Sequence, residues 1–295
     1  MGQGETGGAP RDGRGRRDGT VATAGGGARL KPWRALQAWR ALSSAGFPTP
    51  SSRRLHTISA AARLTWRPTD VAEARRQHAA YVAALRDFSV AVTELAADEA
   101  FPDCIFVEDH AVVHDGRALL THSGLASRRG EQPPVAAALG VALELVEMEP
   151  PAVLDGGDVL RVGDCYLVGI STRTTRAGAQ ALRDFVAPLP VHEVAIPDDQ
   201  LHLKSICTSP GEGLLLAPDH ALRDGELERV AEVLRVPAAE TYACNVLVFG
   251  RELLLPDGYP ATHALLAERG FRLHPLEMSQ IRAADGSPTC LSVFY

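Results

Sequence analysis

Five polar or reactive residues, Asp109, Asp155, His202, Asn245 and Cys290, follow one another at intervals of 46, 47, 43 and 45 residues along a 295-residue chain. A thiol becomes a strong nucleophile once deprotonated, and an imidazole can protonate a leaving amine and then deprotonate water. Asp109 and Asp155, with Glu108 beside the first, supply acceptors that suit a guanidinium, whose N–H donors lie in a planar fork. An acyl-transfer site would instead need donors around a developing oxyanion. The residue types therefore point to attack by Cys290 on the carbon of a cationic, nitrogen-rich group. Binding of such a substrate would itself favour the thiolate.

Residues this far apart meet only if the elements that carry them repeat. Asp70, followed by Glu73, marks a helix start, and Val71, Ala74, Tyr81, Val82 and Leu85 then share one face. Val90 to Leu95 reads as a strand. Hairpins are expected over 104–121, turning at Asp115-Gly116, over 159–168, turning at Gly163-Asp164, and over 245–255, turning at Gly250-Arg251. An extended stretch follows His202. Helical patterns cover 135–139, 176–185, 226–234 and 261–269, and strands cover 141–146, 191–196, 271–275 and 291–295. Each of the five reactive residues stands where a hairpin begins. The spacing predicts a five-bladed α/β propeller of pseudo-symmetric ββαβ modules, with equivalent positions converging on a central axis. The last module runs out at Tyr295 without its second hairpin strand, so the N-terminal region has to supply one.

The first fifty residues differ from the rest. Residues 1–54 hold ten Lys/Arg against three Asp/Glu, and 1–27 are Gly- and Arg-rich with almost no large apolar residue. Such a segment cannot bury enough surface to fold, so 1–54 is expected to be a disordered or non-native extension and 55–295 a single catalytic domain. Within the extension, Leu30, Trp33, Leu36, Trp39 and Leu42 recur every third residue among Lys31, Arg34 and Arg40, the pattern of a basic amphipathic helix over 30–42. The net charge of −6 argues against a nucleic-acid partner. No apolar run approaches a membrane span. Five cysteines at wide, irregular spacing, with no Cys-x-x-Cys or zinc pattern, read as free thiols of a reducing, cytoplasmic protein. Four of them read as small buried hydrophobes. No metal or organic cofactor is expected, and the oligomeric state is read as monomer or homodimer.

The segments FPDCIFVED (101–109), SRRGE (127–131), LDGGD (154–158), Arg173 in STRT, LHLKS (201–205) and DGSPTCLSV (285–293), in this order, resemble dimethylarginine dimethylaminohydrolase, in the superfamily of guanidine-modifying enzymes. The resemblance runs from about Pro68 to the C-terminus. It implies a pentein-like fold and hydrolysis of Nω-methylated L-arginine, asymmetric dimethylarginine or monomethylarginine, to L-citrulline and dimethylamine or methylamine. It implies Cys290 as nucleophile, His202 as general acid/base and Asp155 as third catalytic member. Glu108, Asp109 and Asp103 would contact the substrate, Arg128 and Arg173 would clamp its carboxylate, and the Ala284 carbonyl would take its α-amino group. Leu55, in PSSRRL (50–55), matches a lid contact. The segment 121–126, THSGLA, departs from the Thr-Arg-Pro-Gly-Ala-Pro-like pattern of the family. Alternatives on the same scaffold are an arginine deiminase-like enzyme or a catalytically impaired relative that binds a ligand or partner.

Overall fold

The computed structural model describes residues 1–2, 34–38, 69–219, 222 and 225–295. The chain divides into a short unit, Met1–Lys31, and a large one, Pro32–Tyr295. Strand β1 (Arg34–Ala38), helix α1 (Val71–Asp87) and strand β2 (Ala91–Leu95) open the large unit. The Asp70 side chain caps α1, accepting from the Glu73 N–H at 3.0 Å. Ala74, Tyr81, Val82 and Leu85 are buried on one face of the helix. Each large apolar side chain there contributes on the order of 1.5–3 kcal/mol by leaving water.

Four modules then repeat one plan. Strands β3 (Ala111–His114) and β4 (Arg117–Leu120) form an antiparallel hairpin, helix α2 (Gln132–Leu139) crosses over, and β5 (Glu144–Glu147) returns parallel to β4. Asp115 and Gly116 both have positive φ, 47° and 74°, as a tight two-residue hairpin turn of the primed type requires. Strands β6 (Val159–Val162) and β7 (Cys165–Ile170), helix α3 (Arg176–Val186) and strand β8 (Val191–Ala195) repeat the order. Strands β9 (Thr208–Gly211), β10 (Leu214–Pro218) and β11 (Glu232–Val236) keep the pairing, with no helix among the described residues between β10 and β11. Strands β12 (Leu247–Phe249) and β13 (Glu252–Pro256), helix α4 (Pro260–Glu268) and strand β14 (Arg272–Leu276) complete the fourth module.

Helix α5 (Ser279–Ala283) leads to the last strand, β15 (Val293–Phe294). Strand β15 pairs antiparallel with β1, and β1 pairs parallel with β2. The order β15, β1, α1, β2 is therefore a fifth ββαβ module made from both ends of the chain. Among the described residues there are five three-stranded sheets, all with the same internal order. This is the expected five-bladed α/β propeller. None of the described helices is long and apolar enough to cross a membrane.

Three local expectations are corrected. Residues 34–38, assigned by their spacing to a basic helix over 30–42, form β1 and belong to the propeller, so the extension expected over 1–54 contains one of its strands. Pairing on both sides outweighs the local periodicity: Arg34 N–H donates to the Tyr295 carbonyl at 3.1 Å and Tyr295 N–H to the Arg34 carbonyl at 2.9 Å. The helix expected over 226–234 gives way to turns and to β11, whose Leu234 and Val236 are buried beside β10. The strand expected over 141–146 starts later, at Glu144, where it can pair with β4.

A 3-10 turn precedes the first strand of each module: Val107–His110, Gly156–Asp158, Leu203–Ser205, Ala238–Cys244 and Thr289–Leu291. Hydrogen bonds join these turns into a ring. Gly157 N–H donates to Asp109 Oδ1 at 3.0 Å, and Leu203 N–H donates to Asp158 Oδ1 at 2.9 Å. Asn245 Nδ2 donates to the Lys204 carbonyl at 2.8 Å, and Thr289 N–H donates to Asn245 Oδ1 at 2.9 Å. Thr289 Oγ1 then donates to Glu108 Oε2 at 2.9 Å, which returns to the first turn. The paired glycines of LDGGD allow this close approach. A Cβ on Gly156 would collide with the Glu108 carbonyl. One on Gly157 would sit 2.8 Å from His202 Nδ1 and 2.9 Å from Asp109 Oδ1.

Candidate active site

The ring brings together side chains that are tens to hundreds of residues apart in sequence. His202 Nε2 lies 3.2 Å from Asp155 Oδ2 and 3.9 Å from Asp109 Oδ1. All three residues are buried, Asp155 completely. Arg173, partly exposed, donates to Asp155 Oδ2 at 3.3 Å. Asp155 Oδ1 is buried and has no hydrogen-bond partner among the described residues, an open acceptor next to a histidine.

Asp109 is held from the other side by Arg128. Arg128 is 4% exposed; its Nη1 donates to Asp109 Oδ2 at 2.5 Å, its Nε to Glu131 Oε2 at 2.9 Å, and its Nη2 to the Phe106 carbonyl at 3.1 Å. Glu131 in turn meets His110 Nε2 at 3.0 Å. One of the two guanidiniums expected to clamp a substrate carboxylate is thus directed at protein groups, and Arg173, which pairs with Asp155, is the more exposed of the two.

Cys290 is partly buried beside the same carboxylates. Its sulfur lies 3.2 Å from Ser287 Oγ. Burial first, then the charges of Glu108 and Asp109, push its thiol up to about 12. A resting thiol rather than a thiolate therefore occupies the ligand-free site. Glu108 is bound on one oxygen by Lys204 Nζ at 2.5 Å and on the other by Thr289 Oγ1. Its neighbour Asp103 is partly exposed, and its carbonyl accepts from Arg128. Ala284 caps the C-terminus of α5 and is partly buried. Leu55 lies outside the described residues.

The ligand atoms of Asp109, Asp155 and His202 lie within 4.8 Å of one another, close enough for one cation. Both Asp109 oxygens already accept hydrogen bonds, from Gly157 and Arg128, so the trio reads as a hydrogen-bonded acid/base cluster.

No family model matches the chain. A dimethylarginine dimethylaminohydrolase of Streptomyces coelicolor is 37% identical over 224 residues, covering 75% of this chain and 85% of the relative. A dimethylarginine dimethylaminohydrolase of Pseudomonas aeruginosa is 32% identical over 230 residues, covering 76% and 89%. This chain belongs to the dimethylarginine dimethylaminohydrolase family. A crystal structure of the Pseudomonas aeruginosa enzyme, a Cys-to-Ser variant complexed with citrulline, superposes with a TM-score of 0.77 at 27% identity over 89% of this chain and 98% of that one. As a member of this family, the protein is a hydrolase acting on carbon–nitrogen bonds.

Its electrostatics follow from the cluster. Burial alone would raise Asp109, but His202 and then Arg128 hold it well below the usual carboxylate range. Burial alone would lower His202, but Asp109, the hydrogen bond to Asp155 and the charge of Asp158 raise it above its ordinary 6.5. The signs follow from linkage. Asp109 stabilises the fold above a pH of roughly 3.9, and this is lost as pH falls through its depressed value. His202 stabilises the fold below about 6.5, and this is lost as pH rises through its raised value. The His202 ring resonances are expected to titrate by NMR with a midpoint above 6.5. Asp109→Asn should lower that midpoint; one unchanged by the substitution would assign the proton to Asp155 alone.

Several residues of the site had no signal in the sequence. Tyr81 Oη donates to the Pro288 carbonyl at 2.9 Å and meets Ser292 Oγ at 2.6 Å, straddling Cys290 from helix α1. Tyr242 Oη donates to the Gly286 carbonyl at 2.8 Å. Tyr81 was legible only as one more residue on the buried face of a helix. The LHLKS motif contains Lys204, but its pairing with Glu108 depends on the ring. Asn245, singled out by its place in the period, links three turns.

Proposed function

We propose that this protein hydrolyses Nω-methylated L-arginine to L-citrulline and dimethylamine or methylamine through a thiouronium intermediate on Cys290. The observation that carries the reading is Asp155 Oδ1, a buried acceptor with no partner among the described residues, beside His202 and in one cluster with Asp109, whose charge also acts on Cys290. A buried carboxylate oxygen left unpaired costs free energy. A guanidinium N–H would satisfy it and bring a positive charge next to the thiol. That charge offsets Glu108 and Asp109 and favours the thiolate, so the proton leaves the sulfur when substrate is in place.

In this reading the Cys290 thiolate attacks the guanidinium carbon and gives a neutral tetrahedral adduct. Protonated His202 gives its proton to the substituted nitrogen, the C–N bond breaks, and the amine leaves. A cationic thiouronium remains on the sulfur. Neutral His202 then takes a proton from water as the oxygen adds to the same carbon. The C–S bond breaks, the proton of the added oxygen passes to the departing sulfur in place of the one lost to solvent when substrate bound, citrulline is released, and the Cys290 thiol and protonated His202 are restored. Asp109 and Asp155 keep the imidazole charged for the first step. Arg173 is assigned to the substrate carboxylate, a role that suits its planar fork, and the Ala284 carbonyl and Asp103 to the far end of the substrate.

A citrulline-release assay tests the proposal. The kcat/KM for asymmetric dimethylarginine is expected to exceed that for arginine by at least about tenfold, the scale set by filling or leaving empty a pocket sized for the added methyl groups. Equal or faster release from arginine would make the enzyme a deiminase, and release from neither would leave ligand binding without turnover.

A further inference from the structure

Among the described residues, the acceptors around Cys290 outnumber the donors, most of which are bonded elsewhere. Glu108 and Asp109, in the Val107–His110 turn, both oppose a negative charge on the sulfur. Tyr81 of α1 and Tyr242 of the Ala238–Cys244 turn also lie within electrostatic range of Cys290. Their hydroxyls are spent on the carbonyls of Pro288 and Gly286. The Lys204 ammonium is held by Glu108, as is the Thr289 hydroxyl. The Asn245 amide donates to Lys204 and Thr289. Ser287 differs. Its side chain is buried, 6% exposed, and among the described residues the bonding partner of its hydroxyl is the Cys290 sulfur at 3.2 Å. The pair is fixed by the backbone as well, because Cys290 N–H donates to the Ser287 carbonyl at 3.1 Å.

We propose that Ser287 is a further catalytic residue: its hydroxyl donates a hydrogen bond to the Cys290 sulfur as that sulfur becomes an anion, and holds it for attack. In the resting thiol the same hydroxyl can accept from S–H. On deprotonation it turns about its C–O bond and donates, with no heavy atom moving. A hydrogen bond to an ionised acceptor is stronger than one to a neutral acceptor, so the contact favours the reactive form. No covalent bond to Ser287 forms or breaks. The inference rests on Cys290 being the nucleophile.

The test is the rate of Cys290 alkylation by iodoacetamide between about pH 7 and 9, read by mass spectrometry of the peptide containing that residue, together with kcat and KM for asymmetric dimethylarginine. In Ser287→Ala the alkylation is expected to be roughly tenfold slower throughout this range, the effect of losing one hydrogen bond to the thiolate. The kcat should fall by about the same factor, with KM within about twofold, because the contact is made to the reacting atom and not to the substrate. Ser287→Thr keeps the hydroxyl and should keep the native alkylation rate. A native alkylation rate in Ser287→Ala, or an equal loss in Ser287→Thr, overturns the proposal. Cys290→Ser separates the two levels. If that variant still turns over, the nucleophile reading fails. If it is dead while Ser287→Ala has the native profile, only the role of Ser287 fails.

Discussion

Cys290→Ser is expected to lower citrulline formation from asymmetric dimethylarginine by at least about 10³-fold while leaving the melting temperature close to native. The substitution exchanges one atom in a partly buried position, so the packing of Tyr81, Ile281 and Leu291 around it is kept. The chemistry is not kept. A hydroxyl ionises far less readily than a thiol, and the groups that already push the thiol up to about 12, burial and the charges of Glu108 and Asp109, would act on an alkoxide in the same sense. A bound guanidinium that offsets these charges for sulfur would have much more to do for oxygen. The measurement is single-enzyme turnover with purified variant and native protein at equal concentration. Retention of full citrulline production by the variant would remove Cys290 from the mechanism.

The second large effect is expected at Arg128. Its guanidinium is 4% exposed and pairs with two buried carboxylates, Asp109 and Glu131. Arg128→Met keeps most of the volume but leaves both acids without their cation. Breaking a buried pair from one side costs about 3–5 kcal/mol, which for a protein of this size lowers the melting temperature by on the order of 10 °C. Activity should fall as well, because Asp109 would lose one of the two cations that keep it ionised beside His202. Thermal unfolding with and without a saturating methylarginine distinguishes the two roles open to this residue. A variant that melts like the native protein and differs only in a raised KM would return Arg128 to the substrate carboxylate.

Much of the fold was legible because its hairpins carry local signals. Asp115-Gly116 and Gly163-Asp164 mark tight turns between alternating apolar residues, and those hairpins formed where expected. The signals failed where pairing was decided by distant partners. Arg34 to Ala38 sit in a run of every-third-residue apolar spacing that reads as helix, yet the segment lies between β2 and β15 and becomes a strand. The stretch after Gly225 offered a weak helical pattern, but the edge of β10 was available and Glu232–Val236 took it. The site shows the same division. His202, Asp155 and Asp109 stood out because residue type coincided with the repeat. Ser287, Lys204 and Tyr81 did not, because an ordinary serine, lysine or helix-face tyrosine acquires meaning only from what it touches after the ring closes.

The sheet formed by β15, β1 and β2 also sets an order of events in folding. In the other modules the hairpin strands are joined by a few residues, so their ends meet at little entropic cost. The pairing of Leu36 with Val293 instead closes a loop of roughly 250 residues, which by polymer statistics costs about 3–4 kcal/mol more than closing a short turn. Contacts of such long sequence separation form late. The four internal blades can assemble as the chain leaves the ribosome, whereas the fifth waits for the final residues, with Cys290 only three positions ahead of the strand that docks. Cys290 is therefore among the last side chains to find its surroundings. Until then Cys290 titrates as an ordinary exposed thiol, and closing the blade is what buries it beside Glu108 and Asp109 and holds it protonated.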